Sequence, residues 1–326
     1  MNGLNMVWRK RGKHMGKINT ITKDYMSEPK YFADSFNYYL FDGRQVIKAD
    51  DLQVLDPTEM ILVPKETKIE NVEKIRDVLK QCVLMADERA TYLMLGIENQ
   101  TDIHYALPVK NMIYDALNYG KQVSDKAKEH RKKKDLRTSG EFLSGFSKED
   151  KLKPLITLTI YFGAEDWKAP RSLKEMFETT DETILRFIED YRVHLIIPKE
   201  IEDFTKFATD FGKAMKYISV SEDGDALGEL QNKAEFQSVD IQTVQLLNAC
   251  TNSKIPIVEG EEKLNMCKGL DDLMERSRRE GKAEERSSII LTALQSGSTP
   301  EDIARILQIS LNEVQTVASQ TTCVNE

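Results

Sequence analysis

Asp77-Val78-Leu79-Lys80-Gln81-Cys82-Val83-Leu84-Met85 and Thr91-Tyr92-Leu93-Met94-Leu95-Gly96-Ile97 flank the polar break Ala86-Asp87-Glu88-Arg89. Both runs are short, apolar and rich in β-branched or aromatic residues, the pattern of a β-hairpin. The second is apolar on both faces, as a central sheet strand is. With Asp87-Glu88 as a two-residue turn, Asp77 falls opposite Glu98, where facing Cβ atoms are about 4.5–5.5 Å apart. Two carboxylates so placed can share a divalent cation. Gln100, two residues further on, projects to the same face as Glu98. Without a cation or a proton, paired carboxylates at the end of an apolar hairpin are costly. A one-residue slip in register would move Asp77 to the other face.

The surrounding chain places this hairpin in an α/β sheet. Residues 29–41 (PKYFADSFNYYLF) predict an amphipathic helix opened by Pro29 and closed near Asp42-Gly43, with Phe32, Phe36, Tyr39 and Leu40 at helical spacing. A weaker strand is expected near Glu59–Val63. Val109, Met112, Ile113, Ala116, Leu117, Gly120 and Val123 trace an apolar stripe on a helix with Pro108 near its first turn. Leu155 to Phe162 predicts a strand ended by Gly163. That order gives α/β architecture with a mixed sheet flanked by helices.

Beyond Pro170 the chain is expected to be mainly helical, with Tyr191–Ile197 as one further strand. Helical patterns cover roughly 200–218, 225–235 and 238–250, followed by a charged helix over 262–295. Thr299 is the expected N-cap of the next helix, with Pro300 in its first turn, and Ser310-Leu311-Asn312-Glu313 has capping-box form. There is no fixed-period repeat.

Composition narrows the functional classes. The 326 residues are 40% hydrophobic and 31% charged, as in a folded globular protein. No apolar run approaches the roughly 18–20 residues of a membrane span. The basic segment before Met15 is followed by no apolar stretch, so a secretory signal is not expected. Met15 is read as an alternative start, and residues 1–14 are set outside the fold. Cys82, Cys250, Cys267 and Cys323 show no metal or disulfide spacing, as in reduced thiols of a cytoplasmic protein. Four histidines without an HxxxH pair argue against a histidine-rich metal site. The net charge of -8 means that a nucleic-acid binder must concentrate its positive charge locally. No phosphate-binding glycine motif supports a nucleotide cofactor. Asp223-Gly224-Asp225 lacks the remaining ligands of a cation loop.

A wider set of motifs carries a family resemblance. Lys30-Tyr31-Phe32-Ala33-Asp34-Ser35-Phe36-Asn37, Arg76-Asp77-Val78-Leu79-Lys80 and Ile97-Glu98-Asn99-Gln100 are followed by Tyr114-Asp115-Ala116-Leu117, Pro154-Leu155-Ile156-Thr157-Leu158 and Tyr161-Phe162-Gly163. In order and spacing, over roughly residues 20–290, they resemble the bacterial recombination-promoting nuclease and transposase family. That family is a branch of the PD-(D/E)XK nuclease superfamily. The resemblance implies a restriction-endonuclease-like core over 15–200, a helical extension over 201–261, a charged helix over 262–296 and a small helix-turn-helix-like tail over 297–326.

It further implies Asp77 and Glu98 as ligands of Mg²⁺ or Mn²⁺, with the backbone carbonyl of Asn99 as a third. Gln100 stands where the superfamily usually has lysine; it can orient water by hydrogen bonds but brings no charge. Asp34 corresponds either to a helix carboxylate that some members hold near the metal or to an ordinary solvated one. The implied activity is metal-dependent DNA cleavage linked to recombination or mobile elements. The alternative is a catalytically weakened nuclease-fold protein that binds nucleic acid or serves assembly.

The densest positive charge is His130 to Lys134 with Lys126, Lys128 and Arg137. Lys126, Arg131, Lys132, Lys133 and Lys134 are either phosphate contacts beside the site or a solvated helix end. The charged helix reads as a dimer element or as a solvated single helix. The tail's second helix carries no Lys or Arg, which favours packing or oligomerisation over DNA reading.

Overall fold

The computed structural model describes residues 16–55, 58–65, 68–75, 77–86, 89–230, 233–251, 253–258 and 260–322. The chain divides into two compact units, Met1–Met266 and Cys267–Glu326. In the first, helix α1 (16–27) leads into α2 (Pro29–Phe41), where proline occupies the first turn because its missing N–H costs nothing there. Asp42 in the left-handed region and Gly43 (φ 83°) end α2. Strands β1 (Gln53–Val54), β2 (Thr58–Lys65), β3 (Lys68–Ile75), β4 (Val78–Ala86) and β5 (Arg89–Gln100) follow. Helices α3 (Leu107–Lys133) and α4 (Ser139–Ser144) precede β6 (Leu155–Tyr161). After the short α5 (Glu182–Leu185), the unit continues through β7 (His194–Ile196), α6 (Asp210–Val220), α7 (Gly224–Leu230), β8 (Val239–Asp240), α8 (Ile241–Cys250) and β9 (Lys263–Leu264).

Among the described residues, five strands form a mixed sheet in the order β1-β4-β5-β6-β7. β4 and β5 pair antiparallel with Val78 opposite Ile97 and Ala86 opposite Arg89. This is the register expected from the hairpin; its turn residues, Asp87 and Glu88, lie outside the described residues. β5 runs parallel to β6, and β6 parallel to β7, with Glu98 beside Thr159. The parallel pairing requires the long crossover through α3.

Three details differ from the sequence reading. The strand expected near Glu59–Val63 is β2, but it pairs with β3 in a separate two-stranded sheet. β3 escapes notice because Ile69, Val72 and Ile75 recur every third residue and not every second. Within 170–209 helix is scarce: short single turns such as Pro198–Glu200 and Phe204–Lys206 alternate with irregular chain, and α6 begins only at Asp210.

The third difference decides the site. α3 buries Leu107, Asn111, Tyr114 and Asn118, a face nearly opposite the apolar stripe at about 100° per residue. Ala116 and Gly120 are exposed, and Val109, Met112, Ile113 and Leu117 are only partly buried. β2 runs along α3. The polar face of α3 is turned to the sheet because the sheet is polar there. Thr157, Thr159, Glu98 and Gln100 are all buried on that face, and buried polar groups need partners.

In the second unit, α9 (Met266–Gln295), α10 (Pro300–Leu307) and α11 (Leu311–Thr322) meet through Ile290, Ile303 and Val314. Thr299 caps α10 by accepting the Asp302 N–H at 3.2 Å, and Ser310 Oγ accepts that of Glu313. Arg286 of α9 pairs with Glu313 of α11. No described helix is long and apolar enough to cross a membrane. Cys82 and Cys250 are free thiols.

Candidate metal centre

Period-two alternation sends Tyr92, Met94, Gly96, Glu98 and Gln100 of β5 toward α3, and Leu93, Leu95, Ile97 and Asn99 to the other face. Asp77 sits at a bend one residue before β4. Its Oδ2 accepts the backbone N–H of Asn99 at 2.8 Å, which ties the carboxylate to the residue following Glu98. Burial raises the Asp77 pKa; the Asn99 N–H offsets part of that shift, as do the charges of Lys110 and Lys23. N–H and C=O of one strand residue leave the backbone on the same side. The Asn99 carbonyl therefore also faces the β4 edge, where Asp77 lies.

Glu98 is 2% exposed and forms an ion pair with Lys110, Nζ to Oε2 3.0 Å. The same ammonium acts on Asp77, so Asp77, Glu98 and Lys110 form one electrostatic cluster. Gln100 is buried on the Glu98 face, and its carbonyl accepts the N–H of Phe162. Asn111, fully buried, donates to Thr159 Oγ1 at 2.9 Å, while its own Oδ1 has no hydrogen-bond partner among the described residues. Asp115 accepts from Thr157 at 2.5 Å and from the Tyr191 hydroxyl at 2.7 Å. The Asn99 amide, on the opposite face, has both polar atoms buried and without a hydrogen-bond partner among the described residues. Such groups mark a place where water or an ion completes the hydrogen bonding.

No family model, curated protein or solved structure matches this chain. The site therefore stands on its own geometry. Among the described residues no three His, Cys, Asp or Glu side chains gather as metal ligands. Asp77, Glu98 and the Asn99 carbonyl are the oxygen groups at this end of the β4–β5 pair.

Asp34 is held by the start of α6. It is 1% exposed; its Oδ1 accepts the N–H of Ala208, and its Oδ2 accepts the N–H and the hydroxyl of Thr209, all within 2.9 Å. Thr209 is the N-cap of α6, so Asp34 anchors that helix start to α2. The solvated alternative does not describe Asp34: it is buried, and both oxygens accept hydrogen bonds at the α6 start. In the basic segment, Lys126 pairs with Glu129 and Asp150, and Lys133 with Glu129. Arg131 donates to the Ala127 carbonyl. Lys132 and Lys134 are exposed. His130 bridges Asp135 and Asp150, and both contacts raise its pKa. This end of α3 is thus partly self-neutralised.

Sequence reasoning missed Lys110, Asn111 and His104. The Nδ1 of His104 accepts the Ala106 N–H, and burial followed by Lys110 lowers its pKa. One signal was available: Asn111, Asp115 and Asn118 at helical spacing form a polar stripe as regular as the apolar one.

Proposed function

We propose that this chain is a metal-dependent phosphodiesterase of the DNA endonuclease type, built on a restriction-endonuclease-like core of the family it resembles. The observation that carries the reading is Asp77 held against the backbone of Asn99, immediately beside the buried carboxylate of Glu98. Lys110 pairs with that carboxylate from α3. Asp77 and Glu98, with the Asn99 carbonyl, have the hard-oxygen chemistry that holds Mg²⁺ or Mn²⁺. When bound, such an ion supplies an activated water and neutralises charge on a phosphoryl group.

The chain's own residues do the rest. Gln100 orients a water by hydrogen bonds from the Glu98 face. Lys110, more than a quarter exposed beside Glu98, supplies the positive charge that Gln100 lacks, aimed where negative charge builds on the phosphate. With its Nδ1 accepting the Ala106 N–H, neutral His104 carries its proton on Nε2. The protein's negative balance suits transient cutting better than tight binding.

One observation favours the alternative, a nuclease-fold module that binds without cutting: the Lys110 ammonium already sits on Glu98 as a competing cation. Nicking of supercoiled plasmid with Mg²⁺ or Mn²⁺ separates the two. Wild type is expected to nick, and Asp77→Ala and Glu98→Ala to lose at least ~100-fold in rate. Cleavage unaffected by either substitution overturns the assignment.

A further inference from the structure

A second feature of the same α3–sheet seam has the chemistry of a nucleotide seat. Leu79 is two residues along β4 from Asp77, about 7 Å, and forms the wall of a cleft of about 480 Å³. Leu55, Met94 and Leu152 complete the apolar lining. Lys121, Lys126, Lys151 and Lys153 stand on its rim. The rim acids are already answered: Asp125 pairs with Lys128, and Glu129 with Lys126 and Lys133. Lys121, Lys151 and Lys153 form no ion pair among the described residues, which leaves net positive charge around an apolar floor. At one end Tyr92, on the same face of β5 as Met94 and Glu98, is 53% exposed, and the Lys153 ammonium lies 5.3 Å from its ring centre.

We propose that this cleft seats one unpaired nucleotide of a single-stranded nucleic acid whose neighbouring phosphate lies at Asp77 and Glu98. The inference rests on the phosphodiesterase reading above. An apolar pocket of this size accepts a base only when that base is out of its pair. Tyr92 offers a stacking face of the sort single-strand binders use, and the lysines offer sequence-independent phosphate contacts. Met94 and Glu98 are four residues apart, about 13 Å, so the cleft, Tyr92 and the carboxylates lie along one track. The side-chain amides of Gln81, Asn118 and Gln122 also line the cleft; Gln81 donates to Gln53 and Gln122 to Asn118.

The test is binding of a fluorescently labelled oligonucleotide to the full chain in the presence of a chelator, so that no cleavage contributes. A single strand is expected to bind at least ten times more tightly than the same sequence as a blunt duplex. Lys121→Glu/Lys151→Glu, both at exposed and unpaired positions, is expected to weaken single-strand binding at least tenfold and to lower its salt dependence. Leu152→Trp, which fills the mouth of the cleft, is expected to weaken it without changing the salt dependence. Equal affinity for duplex and single strand overturns the inference, as does indifference to all three substitutions. Adenosine monophosphate binding as tightly as the oligonucleotide also overturns it, in favour of a free-nucleotide site. A protein that nicks plasmid in an Asp77-dependent way without single-strand preference retains the nuclease reading and loses this one; single-strand preference without such nicking overturns the nuclease reading and, with it, the placing of the phosphate at Asp77 and Glu98.

Discussion

Replacing Lys110 with methionine isolates the central electrostatic argument. The substitution keeps the length of the side chain and removes its charge. Glu98 is then left as a carboxylate 2% exposed. Breaking a fully buried pair by removing one partner costs about 3–5 kcal/mol. The Lys110 side chain is 28% exposed, so solvent screening reduces the expected loss to about 2–3 kcal/mol. At roughly 2 °C per kcal/mol for a unit of this size, Tm falls by about 4–6 °C. Lys110→Met/Glu98→Gln removes both charges and is expected to recover to within about 1 kcal/mol of wild type.

A divalent cation present at 100 times its Kd stabilises by about 2.7 kcal/mol. Mg²⁺ is therefore expected to restore Lys110→Met nearly to wild type and to leave the double variant unmoved. Thermal unfolding followed by circular dichroism, with Mg²⁺ and with chelator, reads wild type and both variants. A Lys110→Met protein as stable as wild type in chelator would refute the claim that the Lys110 charge stabilises Glu98. A Mg²⁺ shift as large in the double variant as in the single would refute the claim that the ion uses Glu98.

Asp34→Ala removes three hydrogen bonds to a buried carboxylate and is expected to cost about 3–4 kcal/mol, with cleavage per folded molecule unchanged at low temperature; loss of activity without loss of stability would return Asp34 to the metal site. Asp77→Asn tests the raised pKa. Because the folded state holds that proton more tightly than the unfolded one, the carboxylate costs stability increasingly as pH rises above its ordinary value of 3.8. In chelator the asparagine variant is expected to be more stable at pH 7, with the advantage vanishing at low pH; a wild type equally stable at pH 7 in chelator would contradict it. Lys80, fully buried with its ammonium donating to the Ser27 carbonyl at 2.6 Å, has its pKa pushed down to about 8. The unfolded chain binds more protons between about pH 8 and pH 10.5, so wild-type stability rises across that window. Lys80→Met is expected to gain about 1–2 kcal/mol at pH 7, the charge penalty less the lost hydrogen bond, and to lose the advantage above pH 10.5; a constant difference across that range would be inconsistent with a titrating lysine.

Local pattern was enough for the elements and the hairpin register. Pro29 and Asp42-Gly43 bracket α2, Thr299 and Pro300 open α10, and a two-residue break aligns Val78 with Ile97. Each of these signals acts within a few residues, through a fixed φ, a missing N–H or a period-two pleat. β3 was illegible because its apolar residues recur in threes, and the segment 170–209 because its turns carry no period at all.

What the sequence by itself determined is the register of the central hairpin, Val78 opposite Ile97, because strand pairing is set by short-range geometry. Only the tertiary structure decided what faces that hairpin. Read alone, α3 should bury Val109, Met112 and Ile113; in the fold it buries Asn111 and Asn118 and brings Lys110 to Glu98. Apolar periodicity reports what a helix can bury at least cost. It does not know that the opposing sheet presents Glu98, Thr157 and Thr159, groups whose desolvation without partners costs more than a partly exposed apolar stripe. That choice depends on residues some 50 positions apart in the chain, so it is made only when helix and sheet meet.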